Sequence, residues 1–262
     1  MTNKLKMWTN DGVCLLCGKK AGKMSKDHIP PQCCGNNGAF RVRAYSENSN
    51  YNEEIFNKGV YYSTLCQTCN EFLGNNYDYV WGEFTTHIAR AMETPLHYPI
   101  YGEKLYIDTD PIKLAKSVIG HIIASMNIEG LNGHDIEALK NFVCDTNALF
   151  PKGMRLFYWL YPYKDKIVSR NLITLVNRRF EGTTCCVLKI YPIAFMLVWG
   201  ESQYTDFDDL TPYIERKPIK DIVPIGITLP FQLYKYNYPE STEFSPMILR
   251  PSAQSGIIAE KI

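Results

Sequence analysis

The chain has 262 residues, 45% of them hydrophobic and 13% aromatic, with a formal net charge of +1. That composition supports a packed core and excludes a disordered polyelectrolyte, and the charge excludes a uniformly basic nucleic-acid coat. The longest uncharged apolar run, Ile193 to Trp199, is far short of a bilayer span, and Met1 to Asn10 contains no apolar stretch of signal-peptide type. With nine cysteines and no export signal, the expectation is a cytoplasmic protein, off the membrane, whose thiols bind metal rather than form disulfides.

Taken in chain order, residues 1–45 carry eight basic side chains against Asp11 and Asp27, a net of +6. Cys14 and Cys17 form a Cys-x-x-Cys pair, and Cys66 and Cys69 form a second one. Two such pairs present four thiolates to one ion, the usual set for structural zinc, and the long gap between them requires a folded insert. Cys33 and Cys34 are adjacent and suit a shared tetrahedral site poorly, while Cys144, Cys185 and Cys186 read as buried small hydrophobes.

The insert begins with Asp27-His28-Ile29-Pro30-Pro31-Gln32 and passes a turn at Cys34-Gly35-Asn36. Ala39 to Tyr45 is expected to be a strand that places Arg41 and Arg43 on one side. Together with Lys26, these arginines are the candidates for contact with a nucleic-acid backbone. Residues 46–58 read as a polar loop and Val60 to Leu65 as a second strand. Asn70 then opens a helix running to about Met92, because Phe72, Leu73, Tyr77, Val80, Trp81, Phe84 and Ile88 recur at helical spacing. A zinc joining the two cysteine pairs would draw the start of that helix back towards Asp27-His28. Taken singly, His28 could be a structural histidine and Asn70 a helix cap.

From about Cys14 to Asp78 the chain resembles the HNH endonuclease family in its zinc-stapled form. The resemblance rests on Asp27-His28-Ile29-Pro30-Pro31-Gln32, the Gly-containing turn after it, and Leu65-Cys66-x-x-Cys69-Asn70-x-x-Leu73-Gly74. It implies a ββα-metal nuclease domain in which His28 is the general base and Asp27 and Asn70 hold a catalytic divalent ion. One departure concerns an asparagine that the family often carries about five residues before the third cysteine. Tyr61 stands there, which puts the orientation of His28 in question unless a backbone carbonyl holds the imidazole instead.

The chemistry supports the same roles. Phosphodiester hydrolysis needs a base for the attacking water, and histidine, with an unperturbed pKa of about 6.5, is mostly neutral near pH 7. It also needs a cation for the charge growing on the leaving oxygen, and Mg²⁺ or Mn²⁺ prefers oxygen donors such as carboxylate and amide. Two metals of different kind are therefore expected, a thiolate-bound Zn²⁺ and an exchangeable Mg²⁺ or Mn²⁺.

Pro95 and Pro99 mark a linker, so the division expected is a zinc-containing nuclease domain over 1–99 and an α+β module over 100–262. In the second, Asp110-Pro111 starts a helix whose apolar residues form one stripe, with His121 off that stripe. A short helix over Asp135 to Cys144 follows. Strands are expected over Met154 to Tyr161, Asn171 to Val176, Thr183 to Ile190 and Ile193 to Trp199, the last two as a hairpin covered on both faces. Acids and bases balance closely in this module, and no catalytic constellation is readable. The fold class expected for the whole is α+β.

The leading functional expectation is a metal-dependent endonuclease acting on DNA, with RNA not excluded, in restriction or antiphage defence, and with a protein partner or second copy engaged through 100–262. The alternatives are a zinc-containing nucleic-acid-binding module that has lost cleavage and a protein-interaction module.

Overall fold

Beyond Met154 the chain is rich in β-branched and aromatic residues, which favour strands. Met154–Leu160, Gly182–Ile190 and Ile193–Trp199 form the antiparallel centre of a ten-stranded sheet. This computed structural model describes residues 3–4, 12–44, 51–93, 103–126, 134–169, 173–176, 182–200, 207–215, 222–230, 232–233, 247–248 and 256–262. The hairpin expected at Tyr191-Pro192 is present, with Ile190 opposite Ile193. Both faces of the central strands are buried. Leu156, Tyr158, Phe195 and Leu197 point into the main core, while Phe157, Trp159, Met196 and Val198 point into a second cluster closed by Phe207.

The sheet continues from Gly182–Ile190 through Lys166–Ser169 and Gly256–Lys261 to Phe40–Ala44 and Glu54–Phe56. Strands from both ends of the chain therefore share one hydrogen-bonded sheet, with Ala44 opposite Ile257 and Phe40 opposite Lys261. The boundary expected near residue 100, with Pro95 and Pro99, lies outside the described residues. The reading of 46–58 as a loop changes in its described part, because Tyr51–Asn52 and Glu54–Phe56 are strands. Ile55 and Phe56 supply the β-favouring residues, and Phe56 pairs with Phe40.

Pro111–Ser125 is a helix with the start that Asp110-Pro111 implied. The Asp110 carboxylate accepts the N–H of Ile112 at 3.1 Å and of Lys113 at 3.0 Å, satisfying two of the donors that a helix start leaves unpaired. The expectation of a single buried stripe does not hold. Every residue of this helix except Lys113 is buried. It runs between the sheet, the His134–Cys144 helix and the long helix that precedes it, so its polar residues, His121 among them, lie inside the molecule.

That preceding helix is continuous from Gln67 to Glu93, with a π-helical turn over Gly74–Asp78 between two α-helical parts. It begins three residues earlier than Asn70, with Cys66 at the N-cap. The second expected strand reduces to Tyr61–Tyr62, paired with Asp27–His28. Thr64 links this region to the buried helix by donating to the Ala124 carbonyl at 2.6 Å. The fold is mixed α+β with antiparallel sheets, and none of its described helices is long and apolar enough to cross a membrane.

The Asp110 cap gives a direct test of the central helix. Asp110→Ala should cost about 1 kcal/mol and lower the thermal midpoint by roughly 2–4 °C, measured by circular dichroism.

Candidate functional site

The two cysteine pairs converge. Cys14 and Cys17 lie on a tight turn closed by Gly18 N–H donating to the Cys14 carbonyl at 2.8 Å, with Gly18 at φ 69°. Cys66 caps the long helix and Cys69 sits in its first turn. The four Sγ atoms all lie within 4.8 Å of one another, and Cys17 and Cys66 are 4.0 Å apart. Tetrahedral zinc with bonds of about 2.3 Å separates its sulfurs by roughly 3.8 Å. The cluster could therefore hold a metal such as zinc with little adjustment. A hydrogen bond from Cys69 pulls the Cys14 thiol down to about 4, while the Cys69 thiol is pushed up by the same contact. Cys185 and Cys186 are fully buried, as expected, whereas Cys144 is exposed at the end of its helix.

Alternation along Asp27–His28 turns the two side chains to opposite sides, Asp27 buried and His28 half-buried. His28 Nε2 lies 2.9 Å from the Lys58 carbonyl. In the tautomer that donates to this carbonyl, Nε2 carries the hydrogen and Nδ1 is the basic nitrogen, while a bond from the Gln32 amide to the same Nε2 requires the other tautomer. The Gln32 amide nitrogen is 3.2 Å from the same Nε2, and the ring of Tyr61 lies 5.9 Å from the imidazole. A backbone carbonyl holds the imidazole, but it is that of Lys58 and not one at Tyr61.

Asn36 fixes the strand pair around His28, a role that the sequence did not reveal. Its buried amide donates to Pro30 O at 2.6 Å and Val60 O at 2.7 Å, and its oxygen accepts the Val60 N–H at 2.8 Å. Gly59, at φ 85°, packs so closely on Asn36 that a Cβ there would strike the Asn36 carbonyl. The only available signal was the Cys34-Gly35-Asn36 turn, which read as a plain loop.

Asn70 lies one turn into its helix. Its amide nitrogen donates to Ser25 Oγ at 2.7 Å and to the Lys26 carbonyl at 3.2 Å, which ties the helix to the residue preceding Asp27. Asp27 itself is 1% exposed. Its Oδ2 stands 3.3 Å from Nδ1 of His121, and Nε2 of the same imidazole is 3.1 Å from Asp78 Oδ1. Ser117 also donates to Asp78 Oδ1, at 2.7 Å. Burial alone would depress the His121 pKa, but the carboxylates of Asp27 and Asp78 outweigh it and raise it to about 10. The two carboxylates on either side of the ring therefore favour its protonated form.

In donor chemistry, Asp27 and Asn70 suit a hard divalent ion. Asn70 spends its nitrogen on the two bonds above, leaving Oδ1 for an ion. Asp27 is buried and turns Oδ2 to His121.

Arg41 and Arg43 share one side of Phe40–Ala44, opposite the buried Phe40, Val42 and Ala44. Each faces a carboxylate, Arg41 with Glu53 at 3.7 Å and Arg43 with Glu260 at 3.4 Å. Lys26 is exposed, and its ammonium stands 4.6 Å from the ring centre of Tyr61, the residue paired with His28. No protein-family model, curated protein or solved structure matches the chain.

Two outcomes follow from this geometry. Metal analysis of the purified protein should give one zinc per chain, and Cys69→Ser should lose that zinc and unfold at least 10 °C lower, because structural zinc contributes several kcal/mol and each is worth about 2–4 °C. His121→Leu should cost about 3–5 kcal/mol in urea unfolding, since it strands two buried carboxylates. Adding Asp27→Asn and Asp78→Asn should recover part of the loss.

Proposed function

We propose that this protein is a metal-dependent endonuclease that hydrolyses DNA phosphodiester bonds. The observation that carries the reading is the setting of His28. The imidazole is anchored through Nε2 on the Lys58 carbonyl, and its basic Nδ1 is left to take a proton from an attacking water. Its strand is held against the helix bearing Asn70. The Asp27 carboxylate and Asn70 Oδ1 would hold Mg²⁺ or Mn²⁺, which when bound offsets charge on the leaving oxygen. The cysteine cluster, loaded with zinc, serves structure only.

Lys26 beside Tyr61 supplies a cation next to the base, suited to a backbone phosphate. Arg41 and Arg43 join it where phosphate displaces Glu53 and Glu260. RNA offers the same phosphodiester and belongs within the substrate class tested. Restriction or antiphage defence in the cytoplasm is the setting suggested by resemblance alone, with a protein partner or second copy engaged through residues 100–262.

A second reading has one observation behind it. The burial of Asp27 against His121 favours a nucleic-acid-binding or protein-interaction module that keeps the arrangement without cleaving.

Incubation of supercoiled plasmid with the protein and Mg²⁺ or Mn²⁺ separates the two. The expected result is nicked or linear DNA, abolished by EDTA and reduced about 10²-fold or more by His28→Ala. Equal cleavage by His28→Ala would remove His28 as the base. Absence of cleavage of plasmid, single-stranded DNA and RNA, with zinc still bound, would leave a binding module or a nuclease that awaits an activator.

A further inference from the structure

Next to the Asn36 turn, and apart from both His28 and the cysteine cluster, lies a cavity of about 360 Å³ lined by Lys164, Lys166, Lys261, Cys34, Phe40 and Tyr191. Its size falls within the range of small-molecule sites, roughly 300–1,000 Å³.

The strand register explains why lysines collect there. Lys261 is opposite Phe40, and Ala259, two residues earlier, is opposite Lys166. Paired residues and residues two apart share a sheet face, so Lys166, Lys261 and Phe40 project to one side. The intervening Arg41, Arg43 and Glu260 project to the other, where Arg41 meets Glu53 and Arg43 meets Glu260. Glu53 and Glu260 are thus turned away from the cavity, and Asp165, next to Lys166 in sequence, is shifted upward by burial and by Glu260. Among the described residues, none of the three lysines has a carboxylate within ion-pair distance.

Lys166 is the least ordinary of them. It is 5% exposed, and its ammonium donates to Asn36 Oδ1 at 3.1 Å and Gly35 O at 3.3 Å while lying 4.1 Å from the centre of the Phe40 ring. These are neutral partners, and a buried ammonium without a counter-ion is costly. Burial pushes its pKa down to about 7, and Lys261 adds to the depression against an opposing pull from Cys34. An anion in the cavity would reverse that shift and satisfy the third N–H.

We propose that this cavity binds a phosphate-bearing small molecule of about mononucleotide size, with its phosphoryl group among the three lysines and its organic part against Tyr191. The all-lysine set favours phosphate over carboxylate. Lysine binds phosphate as a point charge, whereas planar carboxylates are recognised best by the fork of arginine. Cys34, Phe40, Tyr191 and the lysine stems give the walls a carbon surface, so the ligand needs an apolar or aromatic body besides its charge. The Tyr191 hydroxyl donates to Glu93 at 3.4 Å, which steadies the ring. Through Lys166 the ligand would also bear on Asn36, the side chain that clamps Pro30 and Val60 around His28. The site stands whether or not the chain cleaves DNA.

Isothermal titration of the full chain with adenosine 5′-monophosphate, adenosine, inorganic phosphate and an unphosphorylated single-stranded oligonucleotide tests the proposal. The monophosphate should bind, adenosine should bind about tenfold more weakly or not at all, and inorganic phosphate should compete. The double variant Lys164→Ala/Lys261→Ala alters exposed side chains and should keep its circular dichroism while losing about tenfold or more in affinity. Lys166→Met should lose binding too, with its thermal midpoint recorded alongside. No binding of monophosphate or phosphate to the unaltered chain, equal binding of adenosine and its monophosphate, an unaffected double variant, or binding of the oligonucleotide alone would each overturn it.

Discussion

A single imidazole in the interior connects the parts of this molecule. His121 rises from the buried Pro111–Ser125 helix and stands between Asp27, on the short strand beside His28, and Asp78, at the π-helical turn of the long helix. Three elements distant in sequence meet through one ring. The interaction of charges within low dielectric is strong, but so is the cost of taking them out of water, and such a set is retained only where both carboxylates are matched. That requirement fixes where the central helix lies relative to the proposed active strand. It also explains why this helix is buried all round although it contains Lys116, Ser117 and His121. Lys116 donates to the carbonyls of Phe142 and Asp145, both at 2.6 Å, Ser117 and His121 Nε2 bond to Asp78, and His121 Nδ1 has only its 3.3 Å ion-pair contact with Asp27.

Around this ion set the site is held by two other devices. The cysteine cluster draws the start of the long helix to the Cys14–Cys17 turn, and Asn36 joins the two chain segments that flank His28 and Tyr61. One cross-link is a cysteine cluster that could hold a metal, and the other is an amide exchanging three hydrogen bonds with backbone. Between them they frame the segment that carries the imidazole of His28. Lys166 is where the C-terminal strands reach the Asn36 turn.

What could be read in the sequence was local. The spacing of Cys14, Cys17, Cys66 and Cys69 announces its geometry because thiolates have few other uses at that density. Asp110-Pro111 declared a helix start, and Tyr191-Pro192 between two apolar runs declared a hairpin. His121 was not legible as a partner of Asp27. Periodicity showed an apolar stripe with His121 off it, but it does not report that the polar face of a helix is buried as well. Asn36 was hidden for a different reason. An asparagine between glycines is what an ordinary turn looks like, and its buried bonds depend on where Val60 comes to rest. The lysine cavity was likewise invisible, because Lys166 and Lys261 meet only through the pairing of strands formed far apart in the chain.

That pairing sets an order of events during synthesis. Phe40–Ala44 finds its neighbour in Gly256–Lys261, and Arg43 and Glu260 are 217 positions apart. At about 5–20 residues per second, the earlier strand waits roughly ten to forty seconds on the ribosome for the later one. Until then Phe40–Ala44 has only Glu54–Phe56 beside it, and the turn at Asn36 gains Lys166, 130 positions after it. The elements that carry Asp27, His28, Asn70 and His121 are all made before the sheet can close on Phe40–Ala44. Maturation of the first residues is timed by the arrival of those near position 260.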